Sequence, residues 1–422
     1  MLRGAVAEIS LSAIGQNLQA IRKIVRNRPV IAVVKADAYG HGAVEVSKRL
    51  LKEGISYLAV AYINEAVELR DAGITIPIIV LFDTEDVKSI FDFNLMPVIC
   101  DMDNALSLSR EAKKRNIPLK VHVKVDTGMG RMGLHGNHII TDMMKISDMH
   151  GLEITGLLSH FSEADLSDRT YAKIQLERFN AIRGKISEKL KRRIFSHIAN
   201  SAAILSFQEA HLDAVRPGLM LYGYSPFTKE FISKAPSPLP SPSRGEGCNT
   251  TPPLRGGDEG EGDVCGFTND RISSSKEEES RMCTDLKLSP AMSIKTRILS
   301  IRNVPSGTPI SYGRTFITKR PSRIGVIPLG YADGYNRLFS NNAEVLVNGK
   351  RVPVIGRVCM DLTMTDLTDV KGVKEDDEVV IIGRQGNESI TAEELAFRSN
   401  TISYEILTTL GGRSKRIYVE TH

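Results

Sequence analysis

The stretch Val30-Ile-Ala-Val-Val-Lys-Ala-Asp-Ala-Tyr-Gly-His-Gly42 passes from β-branched apolar residues into a turn of small residues, with Lys35 at the junction. An apolar run of this length bounded by turn formers reads as a buried strand. Lysine is rarely buried without a partner or a task. At the carboxyl end of such a strand its amine points into whatever pocket lies above the sheet, where desolvation lowers the pKa and frees a nucleophile. Pyridoxal phosphate is the natural employer of such an amine. The plain alternative is a lysine whose stem snorkels along a strand end.

Outward from this strand, from about residue 30 to 225, short apolar runs alternate with amphipathic, charge-rich stretches, the βαβ signature of a parallel sheet. The runs are Val30–Val34, Tyr57–Ala61, Ile78–Phe82, Pro97–Cys100, Leu119–Val125, Ile154–Ser159, Phe195–Ala199 and Leu212–Val215. Helix-like segments such as Ala43–Glu53, Ile63–Ala72, Asn104–Arg115 and Tyr171–Leu190 lie between them. Eight such units favour a closed (β/α)8 barrel over an open doubly wound sheet. In that barrel Lys35 ends the first strand, Asp126 to Arg131 follow the fifth, His160 ends the sixth, Asn200 and Ser201 end the seventh and Arg216 ends the eighth. Carboxyl strand ends build the active sites of such barrels, so these polar residues are expected to converge at one mouth.

From Pro290 onward apolar and polar residues alternate between glycine turns, as in Val345-Leu-Val-Asn-Gly-Lys-Arg-Val-Pro-Val354, which predicts a mostly antiparallel β domain. Asn348-Gly349 is a hairpin turn signal. Thr391-Ala-Glu-Glu-Leu395 starts a short helix with a hydroxyl cap and acids in its first turn. The predicted division is a barrel over residues 1–227, an insertion over 228–286 and a β domain over 287–422, with residues before 10 packing on the last. The insertion holds two imperfect copies of a proline-rich segment, Ala235-Pro-Ser-Pro-Leu-Pro-Ser-Pro-Ser-Arg-Gly-Glu-Gly247 and Thr251-Pro-Pro-Leu-Arg-Gly-Gly-Asp-Glu-Gly-Glu-Gly262. Such composition cannot bury enough apolar surface to offset the entropy of ordering, so it reads as disordered. A proline-rich partner site is the alternative.

Composition narrows the partners. At 422 residues the chain suggests two or three domains. A net charge of +5, dispersed along the chain, argues against nucleic acid and for a small-molecule substrate. The five cysteines (Cys100, Cys248, Cys265, Cys283 and Cys359) show neither metal-ligand spacing nor a disulfide framework, so a reducing cytoplasm and no metal are expected. Glu8 interrupts what would be a signal-peptide core, and no apolar run is long enough to span a membrane.

Taken as an ordered set, the motifs resemble the alanine racemases, pyridoxal-phosphate enzymes with an N-terminal barrel and a C-terminal β domain. The matching segments are Val33-Val-Lys-Ala-Asp-Ala-Tyr-Gly-His-Gly42, Lys124-Val-Asp-Thr-Gly-Met-Gly-Arg-Met-Gly133, Ser159-His-Phe161, His197-Ile-Ala-Asn-Ser-Ala202, Arg216-Pro-Gly-Leu-Met-Leu-Tyr-Gly223, Ser311-Tyr-Gly-Arg-Thr315, Gly330-Tyr-Ala-Asp-Gly334, Gly356-Arg-Val-Cys-Met-Asp361 and Asn400-Thr-Ile-Ser-Tyr-Glu405. They span nearly all of the chain outside the insertion. The family's tryptophan near the N-terminus is missing from Ala5-Val-Ala-Glu-Ile-Ser10, which removes no chemical group.

The resemblance implies that Lys35 bonds to the cofactor aldehyde. Racemisation removes a proton from one face of the α-carbon and returns one to the other, which asks for a base on each face. Lys35 serves one face, and the resemblance places Tyr312 of a partner subunit on the other. On its own, Tyr312 reads as an ordinary hairpin tyrosine. A tyrosine at its ordinary pKa near 10 is a poor base, so the role requires positive charge beside it.

Arg216 matches the residue facing the pyridine nitrogen. A guanidinium cannot readily protonate that ring, so the electron sink is weaker and transamination should be suppressed. His160 would orient Arg216 and Arg131 would meet the phenolic oxygen and help hold substrate, although both also read as ordinary polar residues of a barrel mouth. Lys124 aligns with a lysine carbamylated in some members. The phosphate would be held by Tyr39, Asn200, Ser201, Gly218, the Leu219 amide and Tyr404. Met360 and Asp361 would reach the substrate carboxylate region of the neighbouring subunit, with Tyr331 and Tyr404 lining the entrance, so a homodimer with shared sites is implied.

The expected reaction is interconversion of L- and D-alanine in the service of peptidoglycan synthesis. A single-domain cofactor carrier would end near residue 230 and have no use for Tyr312. Barrel decarboxylases set an acid against the pyridine nitrogen. A broad-specificity racemase remains open, because one or two methylenes are worth only about 1 to 3 kcal/mol of discrimination.

Overall fold

The structure is a computed structural model that describes residues 4–227 and 287–420. The proline-rich stretch read as a disordered insertion lies outside the described residues, as do Cys248, Cys265 and Cys283. β1 (Val6–Ser10) leads directly into the helix Leu11–Ile24, where the Ser10 hydroxyl accepts the Ala13 N–H at 3.2 Å. Seven parallel strands then follow in chain order: β2 (Ile31–Val33), β3 (Tyr57–Val60), β4 (Ile78–Val80), β5 (Met96–Ile99), β6 (Leu119–Lys124), β7 (Leu152–Leu158) and β8 (Phe195–His197). β2 and β4 are buried along their whole length, as apolar strands of a helix-wrapped barrel must be. The outer helices bury one stripe each; Ala43–Lys52 hides Ala43, Val46, Ser47 and Leu50.

The eighth strand expected over Leu212–Val215 is not a strand. Leu212 has a φ of 47° and Pro217 has no N–H to donate, so the ladder is cut short on both sides, although the Pro217 carbonyl still accepts the Val33 N–H at 3.1 Å. Two parallel bridges remain, Ala214 to His197 and Val215 to Val30. Ile31 N–H donates to Val215 O and Arg216 N–H to Ala199 O, both at 2.9 Å. These contacts close the barrel with almost no strand, and they leave Arg216 pointing inward.

The second half contains β9 (Met292–Arg297), β10 (Ser300–Val304), β11 (Pro309–Ile310), β12 (Phe316–Ile317), β13 (Ser322–Ile327), β14 (Glu344–Val347), β15 (Lys350–Ile355), β16 (Thr363–Asp366), β17 (Glu378–Gln385), β18 (Glu388–Ile390) and β19 (Lys415–Val419). The large sheet runs β10-β13-β16-β15-β14-β17-β9-β1-β19 and is antiparallel except where β1 meets β19. β14 and β15 form the hairpin at Asn348-Gly349, both with positive φ, as this two-residue turn requires. The helix Ala392–Arg398 is capped by Thr391, whose hydroxyl accepts the Glu394 N–H at 3.2 Å. A second helix, Ser403–Arg413, was not expected, because Gly411-Gly412 disguises it. Gly411 is there for contact: a Cβ would lie 2.6 Å from Gly40 O, so the glycine lets this helix press on the turn after Lys35.

Candidate active site

Lys35 follows the last apolar residues of β2 and opens into a cavity of about 480 Å³ between the barrel mouth and the helix Ser403–Arg413. Lys35, Tyr39, Lys124, Arg131, His160, Asn200, Ser201, Arg216, Gly218, Leu219 and Tyr404 all line it. Residues from separate strand ends therefore meet in one chamber. Burial lowers the Lys35 pKa and the Arg131 guanidinium lowers it further, against a smaller upward pull from Glu65. Burial is also the main cause that brings Lys124 down to about 8, with Cys100 pulling up and Arg131 and Arg216 pulling down.

Phe82, just beyond β4, packs among these cations in a way the sequence reading missed. Its ring centroid lies 5.5 Å from Lys35 Nζ, 5.3 Å from Lys124 Nζ and 5.3 Å from Arg131 Cζ. The electron-rich ring face partly offsets their mutual repulsion. Its position at a strand end was the signal available. Arg131 stands on a loop wound around Asp126, whose carboxylate accepts the N–H groups of Gly128 and Met129 at 2.8 Å and of Arg131 at 3.1 Å.

Arg216 is buried with more partners than His160 alone. Its Nη2 donates to His160 Nδ1 at 3.2 Å, to Ser159 O at 2.6 Å and to Ile198 O at 3.2 Å. Its Nη1 donates to His197 Nδ1 at 2.6 Å and to His197 O at 2.9 Å. A guanidinium has no acceptor, so both imidazoles present a lone pair to it and carry their proton on Nε2. The His197 Nε2–H then donates to His122 Nδ1 at 3.1 Å. The His160 Nε2–H is left for the cavity. Burial pulls Arg216 down to about 9, which still leaves it charged at neutral pH. His197 and His122 were missed as supports because both rings are buried inside the barrel, His122 within β6 and His197 at the end of a strand read as running on to Ala199; His197 does stand at the head of a quoted motif.

Four histidines are held neutral, chiefly by burial: His122 near 3, His41 near 4, and His160 and His197 well below the usual range. In the unfolded chain each titrates near 6.5. As pH falls from about 6.5 toward about 4 the unfolded state takes up protons that the fold refuses, costing about 1.4 kcal/mol of stability per pH unit for each histidine. Urea unfolding at about pH 7 and about pH 5 should show a markedly lower midpoint in acid. A midpoint equal at the two pH values would mean that these rings charge in place.

In the same cavity wall the Ser201 hydroxyl accepts N–H groups from Gly218 at 3.0 Å and Met220 at 3.4 Å. Asn200 caps the helix Ser201–Ser206 through Ala203 N–H at 3.0 Å. The Tyr39 hydroxyl lies so close to Gly218 that a Cβ there would sit 2.4 Å from it, which demands glycine. Tyr39 also faces Tyr404, with ring centroids 5.7 Å apart. Hydroxyls, amides and a helix start gathered in this way suit a phosphate.

Tyr312, Tyr331, Met360 and Asp361 do not line the cavity of their own chain. They form one exposed patch on the second half, where Tyr312 is 71% and Met360 54% exposed. The patch is held by backbone contacts: Ser311 Oγ donates to Arg357 O at 2.6 Å, Tyr331 N–H to Cys359 O at 3.0 Å and Ala332 N–H to Met360 O at 2.9 Å. Among the described residues no group of His, Cys, Asp and Glu could hold a metal, and no helix is long and apolar enough to cross a membrane.

A desolvated amine, a guanidinium held by neutral imidazoles and a phosphate cradle lining one cavity at a barrel mouth fit pyridoxal phosphate, and fold and site together define that class of barrel enzyme. Comparison with known families narrows the class. Residues 9–226 match the family model for the alanine racemase N-terminal domain and residues 291–418 that for the C-terminal domain. The chain belongs to the alanine racemase family.

It is 45% identical over 423 residues to an alanine racemase of Thermodesulfovibrio yellowstonii, covering 99% of each chain. It is 39% identical to alanine racemase 2 of Caldanaerobacter subterraneus subsp. tengcongensis, covering 99% of this chain and 95% of the relative. Among solved structures, the Bacillus anthracis alanine racemase with bound L-Ala-P superposes with a TM-score of 0.81 at 32% identity, over 99% of this chain and 96% of that one. The Bartonella henselae alanine racemase with covalently bound pyridoxal phosphate gives 0.78 at 26% identity, over 99% and 100%.

Proposed function

We propose that this protein interconverts L- and D-alanine with pyridoxal phosphate, using one base on each face of the substrate. The chain is a pyridoxal-phosphate-dependent racemase. When bound, that cofactor supplies an electron sink that acidifies the α-proton. The reading rests above all on the Lys35 amine, desolvated inside a cavity that ends in a phosphate cradle. Lys35 would hold the cofactor through its amine and would take or return the proton on one face of the substrate. Arg216 would lie against the ring nitrogen and, keeping its charge, would limit proton transfer to the ring. Ser201, with Asn200 and the Gly218 and Leu219 backbone, holds the phosphate, flanked by Tyr39 and Tyr404.

The opposite face needs a second group. Tyr39 and Tyr404 are unsuitable, because burial pushes both phenols up, Tyr404 to about 12. Tyr312 serves that face from a partner chain, and its exposure beside Met360 and Tyr331 supports this. Arg131 and the partner chain's patch of Met360, Asp361 and Tyr331 receive the substrate carboxylate and form the entrance. The functional unit is then a homodimer with two shared sites. Lys124, lowered to about 8 chiefly by burial, has a minor unprotonated fraction at neutral pH that can add carbon dioxide, losing a proton and becoming a carbamate. Such a carbamate would place a negative charge beside Arg131.

The product D-alanine feeds peptidoglycan synthesis in the cytoplasm, a compartment that suits the free thiols of Cys100 and Cys359. Circular dichroism of either pure alanine enantiomer, followed with purified protein and cofactor, should decay to zero. A signal that persists would overturn the reading.

A further inference from the structure

Lys35 is followed by four residues in the left-handed region: Ala36, Asp37, Ala38 and Tyr39, with φ of 51°, 53°, 53° and 55°. L-residues visit this region singly and at a cost, so a run of four persists only if its surroundings impose it. Two carboxylates and one cation do so. Glu65 accepts the Ala36 N–H at 2.5 Å while also accepting Ala61 N–H at 2.7 Å and Tyr62 N–H at 3.1 Å, tying the turn to the end of β3. Asp37 accepts the Ala43 N–H at 2.7 Å, closing the turn onto the next helix.

The cation comes from the other half of the molecule. Arg416, on β19, pairs through Nη2 with Asp37 Oδ2 at 2.5 Å and donates through Nε to Gly40 O at 2.9 Å, bridging 376 positions of sequence. Beside it the Tyr418 ring covers Gly42 so closely that a Cβ there would lie 1.9 Å from the hydroxyl.

We propose that Arg416 is a positioning residue for Lys35: from the C-terminal strand it holds the left-handed turn that aims the amine, acting through Asp37 and Gly40. The proposal rests on the reading of Lys35 as the cofactor-bearing amine. A purely structural role, fastening β19, is the competing account. It is disfavoured because β19 is already docked by five backbone register pairs with β1, Val6–Ser10 against Lys415–Val419, which need no arginine side chain. Removing the guanidinium should therefore loosen the turn and leave the strand in place.

The test compares holoenzyme of the native sequence with Arg416→Met, Arg416→Lys and Glu420→Gln, the last breaking the neighbouring Arg49–Glu420 pair on the same terminal segment. Amide hydrogen exchange over residues 36–42 and retention of pyridoxal phosphate on dialysis are read together. In Arg416→Met, exchange over 36–42 should rise and cofactor retention should weaken, each about tenfold, the scale of one lost charge-assisted contact. Exchange over Lys415–Val419 should stay native, Arg416→Lys should recover part of both effects, and Glu420→Gln should match the native protein. Native exchange and retention in Arg416→Met, equal changes in Glu420→Gln, or fraying of Lys415–Val419 with the turn would each overturn the proposal. Borohydride reduction followed by peptide mapping separates the two claims. A label away from Lys35 defeats the reading of Lys35, whereas the exchange result judges Arg416 whatever the cofactor does.

Discussion

Replacement of Lys35 by alanine is expected to remove the covalent cofactor and reduce alanine racemisation by at least about 10⁴-fold, the scale on which loss of a covalent nucleophile acts. The fold should survive, because the amine lies at the cavity edge and the apolar residues of β2 below it are untouched. Arginine at this position should fail equally, since it keeps a charge but offers no nucleophile at neutral pH. Two measurements check this: the long-wavelength absorbance of the protein with cofactor, and the mass added to the Lys35 peptide after borohydride reduction. A Lys35→Ala protein that keeps a covalent chromophore, or activity within tenfold of native, would remove the foundation of the proposed chemistry.

The second large effect concerns Tyr312. Tyr312→Phe should slow exchange of the α-proton from one enantiomer by about 10² to 10⁴-fold, the usual worth of a positioned acid or base, with a much smaller effect on the other. The asymmetry follows from assigning Lys35 and Tyr312 to opposite faces, and equal slowing of both enantiomers would refute it. Because the proposed Tyr312 comes from a partner chain, mixing supplies a sharper test. Dimers reassembled from Lys35→Ala and Tyr312→Phe chains hold one site with both lesions and one with neither. Activity should reappear on mixing, up to about half the native value per mixed dimer. If it does not, although mixed dimers are isolated, Tyr312 does not act across an interface.

Much of the barrel could be read along the chain because its signals are local. Apolar runs near the observed β2 to β8 lie between amphipathic stretches, and each period fits a few residues on either side. The last unit failed because its end depends on two backbone details, the left-handed Leu212 and the proline after Arg216, which turn a run of apolar residues into two bridges. The helix Ser403–Arg413 was hidden for a related reason: its two glycines read as a turn, whereas one of them answers to a neighbour's backbone. Most of the polar residues that line the cavity were found from strand-end position and from resemblance. Phe82, His122, His197 and Glu65 were not, because what they do is visible only in their partners.

By itself the sequence determined the succession of the first seven barrel strands and most of their helices, many of the polar side chains at the barrel mouth, the glycine turns of the second half and membership of a family by ordered motifs. These depend on periodicity and on residue identity, which are properties of neighbours in the chain. Tertiary structure alone decided that β1 lies between β9 and β19, that Arg216 is held by two imidazoles and three carbonyls, and that Arg416 grips the turn after Lys35. Such contacts join residues on different elements, from 18 to 376 positions apart for the two arginines, and their energies depend on burial and direction, neither of which a single residue or a local pattern encodes.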